Sequence, residues 1–204
     1  KIVCISDTHN RHKKIVVPDG DILIHAGDFT LGGKFSEVRN FCEWFSELPH
    51  QYKIFIAGNH DFLFEKDQST AKLLITDNII YLQDTGITAM GLKIWGSPWQ
   101  PEFCNWAFNL PRGIALRTKW ECIPLDTDIV ITHGPPRGVL DRCDNNGQNA
   151  GCDDLRERLQ IISPKLHIFG HIHERYGCSI QGRTTYINAS ICNIEYSPVN
   201  LPII

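Results

Sequence analysis

Five short apolar runs, each broken off by a cluster of Gly, Asp, Asn or His, constrain this chain more than any other feature of its sequence. They cover residues 2–6, 21–26, 52–57, 128–132 and 166–169. Runs of that length bounded by turn residues read as buried strands whose C-terminal ends carry loops. Helical patterns lie between them. In "SEVRNFCEWFSELP" Val38, Phe41, Phe45 and Leu48 share one face, Ser36 is placed to cap, and Pro49 stops the helix. "DDLRERLQIISP" turns Leu155, Leu159 and Ile162 inward and ends before Pro164. Alternating strands and helices predict mostly parallel sheets covered by helices.

The remaining segments read differently. "IIYLQDTGITAMGLKIWGSP" predicts three short strands joined by turns, and "YGCSIQGRTTYINAS" a hairpin turning at Gln181 and Gly182. "CNIEY" is read as a further strand. Two sheets sandwiched between helices would hold both halves. With 204 residues, 42% of them hydrophobic, one domain over residues 1–204 can bury a sizeable core.

The polar clusters fall where ligands collect in open α/β sheets, beyond the carboxyl ends of the strands. In chain order they supply Asp7 and His9; Asp28; Asn59, His60 and Asp61; His133; and His171 with His173. Each alone is ordinary. An Asp-x-His or Gly-Asp pair makes a turn, "GNHD" makes a turn and a helix cap, and a single histidine is usually a satisfied surface or core residue. Together they present carboxylate, imidazole and amide oxygen at successive strand tips, a donor set suited to Mn, Fe, Zn or Ni without thiolate. His25 and His167, inside strands, read as core residues, His50 as a loop residue and His12 as a surface one.

Several classes are excluded by bulk properties. A formal net charge of -3 implies no broad basic surface for duplex nucleic acid. The apolar runs fall far short of the ~20 residues a spanning helix needs. No leader-like stretch opens the sequence, although it begins at Lys1 and an earlier segment can have been removed. Eight cysteines without a CxxC spacing indicate neither zinc finger nor disulfide framework, and a reduced, cytoplasmic setting is expected. Cys143 and Cys152, which bracket "DNNGQNAG", are the one pair placed to bond.

The motif set "DTH", "GD", "GNHD", a lone histidine after a strand and "GHIH" resembles the calcineurin-like metallophosphoesterase superfamily. "CISDTHN", "ILIHAGDFT", "IAGNHD", "THGPP", "KLHIFGHIHERYG" and "TTYINAS" resemble the metallophosphoesterase-domain-containing subfamily over nearly the whole chain. The resemblance implies a four-layer αββα sandwich of two mixed β-sheets flanked by helices. It implies a first metal held by Asp7, His9, Asp28 and His173, and a second held by Asp28, Asn59, His133 and His171, with Asp28 bridging. His60 would act beside the reacting phosphate and Asp61 would orient it. Both sites are expected to fill with divalent ions, manganese first, with Fe, Zn, Co or Ni as other occupants.

Charge and geometry make such a site a phosphoesterase. Two divalent cations less two carboxylates leave about +2, the sign a phosphodiester anion needs, and the neutral amide of Asn59 preserves that excess. Metals sharing a carboxylate ~3.5–4 Å apart clamp the phosphate and acidify a shared water, so that a bridging hydroxide attacks phosphorus in line. His60 is suited to protonate the leaving oxygen.

Substrate choice is less legible. Trp99, Phe103, Trp106 and Phe108 crowd one Pro- and Asn-containing stretch, which reads as a wall for a nucleobase or as a surface loop held down by its own aromatics. Asn10, Arg11 and Arg137 are candidate phosphate or ribose contacts, as are Asn145, Asn146, Gln148 and Asn149. The expected partner is a small phosphodiester or nucleotide, cyclic nucleotides included, with no nucleic acid duplex and no membrane. A phosphomonoesterase is the nearest alternative. A non-catalytic scaffold on the same fold would require a missing ligand or a missing His60.

Overall fold

The computed structural model describes residues 1–145 and 147–204, so Asn146, one of the candidate contacts, lies outside the described residues. The first half builds β1 (Ile2–Ile5), β2 (Ile22–His25), α1 (Phe35–Glu47), β3 (Tyr52–Phe55), α2 (Phe62–Lys66), α3 (Gln68–Lys72) and β4 (Ile80–Tyr81). A hairpin follows, β5 (Thr85–Ala89) and β6 (Leu92–Ser97), then a clasp of β7 (Gln100–Pro101) with β8 (Asn109–Leu110). The second half comprises α4 (Ile114–Glu121), β9 (Ile129–Thr132), α5 (Asp153–Ile162), β10 (Leu166–Phe169), β11 (Gly177–Gln181) and β12 (Thr184–Asn188).

One sheet runs β1-β2-β3-β4 and is parallel throughout. The other runs β11-β12-β10-β9-β6-β5 and is mixed, with antiparallel pairs at its two ends. Only one of the two sheets is therefore mixed. The antiparallel pairs are hairpins, which short turns allow, whereas the neighbours of the first sheet are joined by longer crossovers, helical between β2 and β3 and between β3 and β4.

Alternation along the strands sorts side chains into three cores. Val3, Ile5, Leu23 and Phe55 pack under α1 against Val38, Phe41 and Phe45. Cys4, Ile22, Ile24 and Ile54 face the opposite way and meet Ile94, Ile129, Ile131 and Ile168 of the second sheet. Val130, Phe169 and Tyr186 then pack under Leu116, Trp120, Leu155 and Leu159 of α4 and α5. Helix, sheet, sheet, helix is the layering this produces.

Local details differ from expectation for identifiable reasons. α1 begins at Phe35, one residue before the proposed Ser36 cap, because the Glu37 carboxylate accepts the free N–H groups of Gly32 and Lys34. "CNIEY" is not a strand: its backbone curls around Asn193, whose side-chain oxygen accepts the N–H groups of Glu195 and Ser197. His12 is buried rather than superficial, hydrogen-bonded to Asn40 and tilted against Trp44. His25 and His167 are fully buried, as expected, and His50 is buried too, bonded to the Pro18 carbonyl. The thiols of Cys143 and Cys152 are free. Among the described residues no helix is long and apolar enough to cross a membrane.

Candidate metal centre

All five strand-tip loops meet at the carboxyl edges of the two sheets. The loops after β1, β2 and β3 come from the parallel sheet, and those after β9 and β10 from the mixed one. To turn side chains inward so soon after a strand, the backbone enters the left-handed region at Asp7 (φ 50°), His9 (φ 40°), Asp28 (φ 55°) and His171 (φ 69°). Strain of this kind, about 1–3 kcal/mol per residue, persists where surrounding contacts over-determine it. Close approach adds a demand at two glycines. A Cβ on Gly170 would lie 1.9 Å from Asp7 Oδ2, and one on Gly58 2.3 Å from Asp28 Oδ1.

The donor atoms converge in overlapping groups: Asp7, His9 and His173; Asp28, His133 and His171; and His9, Asp28 and His60. Within each group the candidate ligand atoms lie within 4.8 Å of one another. His173 Nε2 is 3.2 Å from Asp7 Oδ1 and also 3.2 Å from His9 Nε2. On the other side His133 Nε2 is 3.3 Å from Asp28 Oδ2 and 2.9 Å from Asn59 Oδ1. His60 Nε2 stands 3.9 Å from Asp28 Oδ2. Asp28 thus belongs to both sides, where a bridging carboxylate would have to be.

The opposite ring nitrogens decide whether this set fits a cation. Nδ1–H of His9, His60, His133 and His173 donates to the carbonyls of Thr30, Leu31, Ala26 and Asn193, at 3.1, 2.8, 2.9 and 2.9 Å. A carbonyl only accepts, so each Nδ1 carries a proton and each Nε2 turns inward with its lone pair or a second proton. That carbonyl-backed tautomer is how metal-binding imidazoles are held. The Nε2 atoms of His9 and His173 lie 3.2 Å apart, too close for two facing lone pairs, so a positive charge belongs between them, either a proton on His173 or a divalent cation among these donors.

Electrostatics agree. Burial works against ionising Asp7, but the His173 hydrogen bond and the imidazoles around it hold the carboxyl well below its usual range. Asp28 is likewise lowered, burial being outweighed by His133, His60 and His9. Burial pulls His133 down, yet the Asp28 carboxylate raises it to about 9; His173 is raised to about 9 in the same way by Asp7. His9 and His171 fall to about 4 and about 3, chiefly by burial. Without cations, protons occupy two of the seats.

Further groups hold the loops. Ser190 Oγ and the His171 backbone N–H donate to Asp7 Oδ2 at 2.9 and 3.0 Å. His25 Nε2 meets Thr8 Oγ1 at 2.9 Å, and His167 Nε2 meets Thr132 Oγ1 at 2.8 Å, bracing the residues beside the ligands from inside each sheet. Asp61 corrects an expectation. Its carboxylate accepts the N–H groups of Asp28, Gly58 and Thr30 and the Thr30 hydroxyl, all at 2.7–3.0 Å. Burial and Asp28 push it up to about 8, while those bonds favour the ionised form. It ties two ligand loops together and does not orient His60, whose Nδ1 is held by Leu31 instead.

The candidate substrate contacts divide. Trp106 reaches the centre, its ring 4.2 Å from that of His60 and tilted 30°. Phe103 lies 6.5 Å from the His171 ring. Trp99 does not take part: its indole N–H bonds Asp84, Lys119 sits over its face, and Phe108 packs against it. Asn10 spends its amide N–H on Glu37, and Arg137 binds the Asn149 carbonyl. Arg11 stays beside the site, its Nε–H donating to the Tyr196 carbonyl at 3.4 Å. Tyr196 itself was not anticipated. Its ring lies 4.6 Å from His9 and 5.9 Å from His173. Reading "CNIEY" as a strand hid it, and the loop-forming Asn193 was the signal available.

Comparison with known proteins agrees with this geometry. A family model described as calcineurin-like phosphoesterase matches residues 1–175. The chain is 49% identical over 228 aligned residues to the human metallophosphoesterase domain-containing protein 1, covering 100% of this chain and 70% of that protein, and equally so to the mouse one. A UPF0046 protein of Caenorhabditis elegans is 41% identical over 206 residues, covering 95% of this chain and 70% of its own length. The crystal structure of TT1561 of Thermus thermophilus superposes with a TM-score of 0.60 at 15% identity, covering 92% of this chain and 87% of that one. A further solved structure reaches 0.71 at 17% identity, with 95% and 91% covered. At such identities the two structures speak for the fold alone.

Proposed function

The chain belongs to the calcineurin-like phosphoesterase family and is a metal-dependent phosphoester hydrolase, and we propose that residues 1–204 act as one dinuclear phosphodiesterase domain for small diesters, cyclic nucleotides among them. Asp7, His9, Asp28 and His173 would hold one cation, and Asp28, Asn59, His133 and His171 the other. Manganese is the expected occupant, with iron, zinc, cobalt or nickel as alternatives. When bound, two such cations supply positive charge to the phosphate oxygens and lower the pKa of water enough for it to act as nucleophile near neutral pH.

The protein's own groups do the rest. Four carbonyls fix His9, His60, His133 and His173 in one tautomer, so their inward nitrogens are set before ligand arrives. Asn59 contributes an oxygen without charge, keeping the centre attractive to a monoanion. His60, which needs no place among those eight ligand positions, stands over Asp28 with Nδ1–H fixed on Leu31 and Nε2 free to pass a proton to a departing ester oxygen. Trp106 covers its ring and keeps water from that side.

The observation that carries the reading is the set of carbonyl-backed imidazoles closing on Asp7 and on Asp28, the carboxylate both sides share. The diester preference is supported by the rim. Leu31 and Phe103 are exposed apolar residues at its edge. Arg175, the basic group beside His173, is already paired with Asp144. A dianionic monoester would want such charges free. Hydrolysis of bis- and mono-p-nitrophenyl phosphate with manganese compares the two classes, and a clear excess of monoester turnover would reverse the assignment. A second screen over 2′,3′- and 3′,5′-cyclic nucleotides reads the substrate.

A further inference from the structure

Residues 192–198 close into a tight loop. Asn193 N–H donates to the Ser197 carbonyl at 2.9 Å, and Asn193 Oδ1 accepts from Glu195 and Ser197 N–H at 3.1 and 2.9 Å. From the base of this loop the Asn193 carbonyl grips His173 Nδ1. Near its end Tyr196 adopts φ +56°, left-handed backbone that an aromatic residue enters only at a cost.

Core packing does not account for that strain. Tyr196 is half-buried and belongs to none of the three hydrophobic cores. Its ring stands edge-on to His9 at 4.6 Å and lies 6.0 Å from His60. Trp106 takes a face of the same His60 ring at 4.2 Å. The proton-transferring histidine therefore has an indole against its face and a phenol set across it at 72°, on the His9 side. Ile194 adds exposed apolar surface on the same loop.

We propose that Tyr196 is a specificity-determining residue whose ring receives the ester arm retained on phosphorus, while Trp106 borders the arm that departs past His60. This rests on the phosphodiesterase reading, since a monoester has no retained arm. The chemistry recognised is a planar, uncharged arm, aryl or nucleobase in kind, because an aromatic wall stacks on any π-face and offers no charge to pair.

The test keeps the leaving group constant and changes only the retained arm. kcat/KM is measured with manganese for bis(p-nitrophenyl) phosphate and for methyl p-nitrophenyl phosphate, in the wild type, Tyr196→Leu and Tyr196→Phe, alongside manganese affinity for each protein. Loss of one stacking partner should lower the aryl-to-methyl ratio roughly ten-fold or more in Tyr196→Leu, mostly through KM, and Tyr196→Phe should keep the wild-type ratio. A ratio unchanged in Tyr196→Leu overturns the proposal, as do equal losses on both esters accompanied by weaker manganese binding, which would make Tyr196 a support for His9 and His173. If the wild type hydrolyses neither diester but turns over monoesters, the phosphodiesterase reading falls and this inference with it.

Discussion

Loading the centre with metal at neutral pH should expel the protons now held on His133 and His173. Their Nε2 atoms face Asp28 and Asp7 at 3.3 and 3.2 Å, and both imidazoles remain charged up to about 9 against an ordinary 6.5. Nδ1 of each ring is committed to a backbone carbonyl, so the proton displaced is the one on Nε2, where the cation would sit. His9 and His171, lowered to about 4 and about 3, enter already neutral and release nothing at pH 7. In the metal-free protein the sign follows directly: both folded values lie above the unfolded one. The stability these rings contribute, at most ~3 kcal/mol each, is complete below about 6.5 and is lost as pH rises through about 9. Each cation competes with one of these protons, so each should bind roughly ten-fold more tightly at pH 8 than at pH 7, and filling both seats should be favoured roughly a hundred-fold. Manganese titration calorimetry in two buffers of different ionisation enthalpy counts the protons. About two should appear at pH 7, about one fewer in His133→Asn, and few at pH 10. Heats that do not depend on buffer at pH 7, together with an affinity flat in pH, would refute the reasoning.

Three other outcomes follow from the geometry. His60→Ala should keep its manganese content and lose about 10²–10⁴ in kcat, with the larger loss on esters of poor leaving groups; equal losses across leaving groups would remove the acid role. Asp61→Asn turns an amide N–H₂ toward the N–H donors of Asp28, Gly58 or Thr30, so a drop in unfolding free energy of about 1–3 kcal/mol is expected in a denaturant titration, without a change in leaving-group dependence. Gly170→Ala drives a methyl into Asp7 Oδ2 and Ser6 Oγ. Its manganese affinity should fall by about ten-fold or more while circular dichroism still reports the fold, and wild-type affinity would show that the gap is not needed.

The strands and two main helices were legible because their apolar periodicity is enforced by the cores they build, as at Val38, Phe41 and Phe45. The strand tips were legible because metal-type donors recur there in order. What escaped was whatever depends on a single hydrogen bond between distant segments. Asp61 looked like a partner for its neighbour His60, yet three backbone N–H groups outcompeted the ring for it. Asn10 and Trp99 looked available until Glu37 and Asp84 claimed them. Tyr196 was missed because the apolar residues of "CNIEY" outweighed Asn193, the one residue there that signals a loop.

Each cation seat draws on both sheets: Asp7 and His9 with His173 on one side, Asp28 with His133 and His171 on the other. His9 and His173 are 164 residues apart, and Asn59 and His133 are 74 apart. A filled seat is thus a reversible cross-link that closes a very long loop, and its entropic leverage on the unfolded chain resembles that of a well-placed disulfide, about 4–5 kcal/mol for loops on the order of 100 residues. Chelation should accordingly speed hydrogen exchange first along the boundary where the two sheets abut, well before either sheet frays within itself.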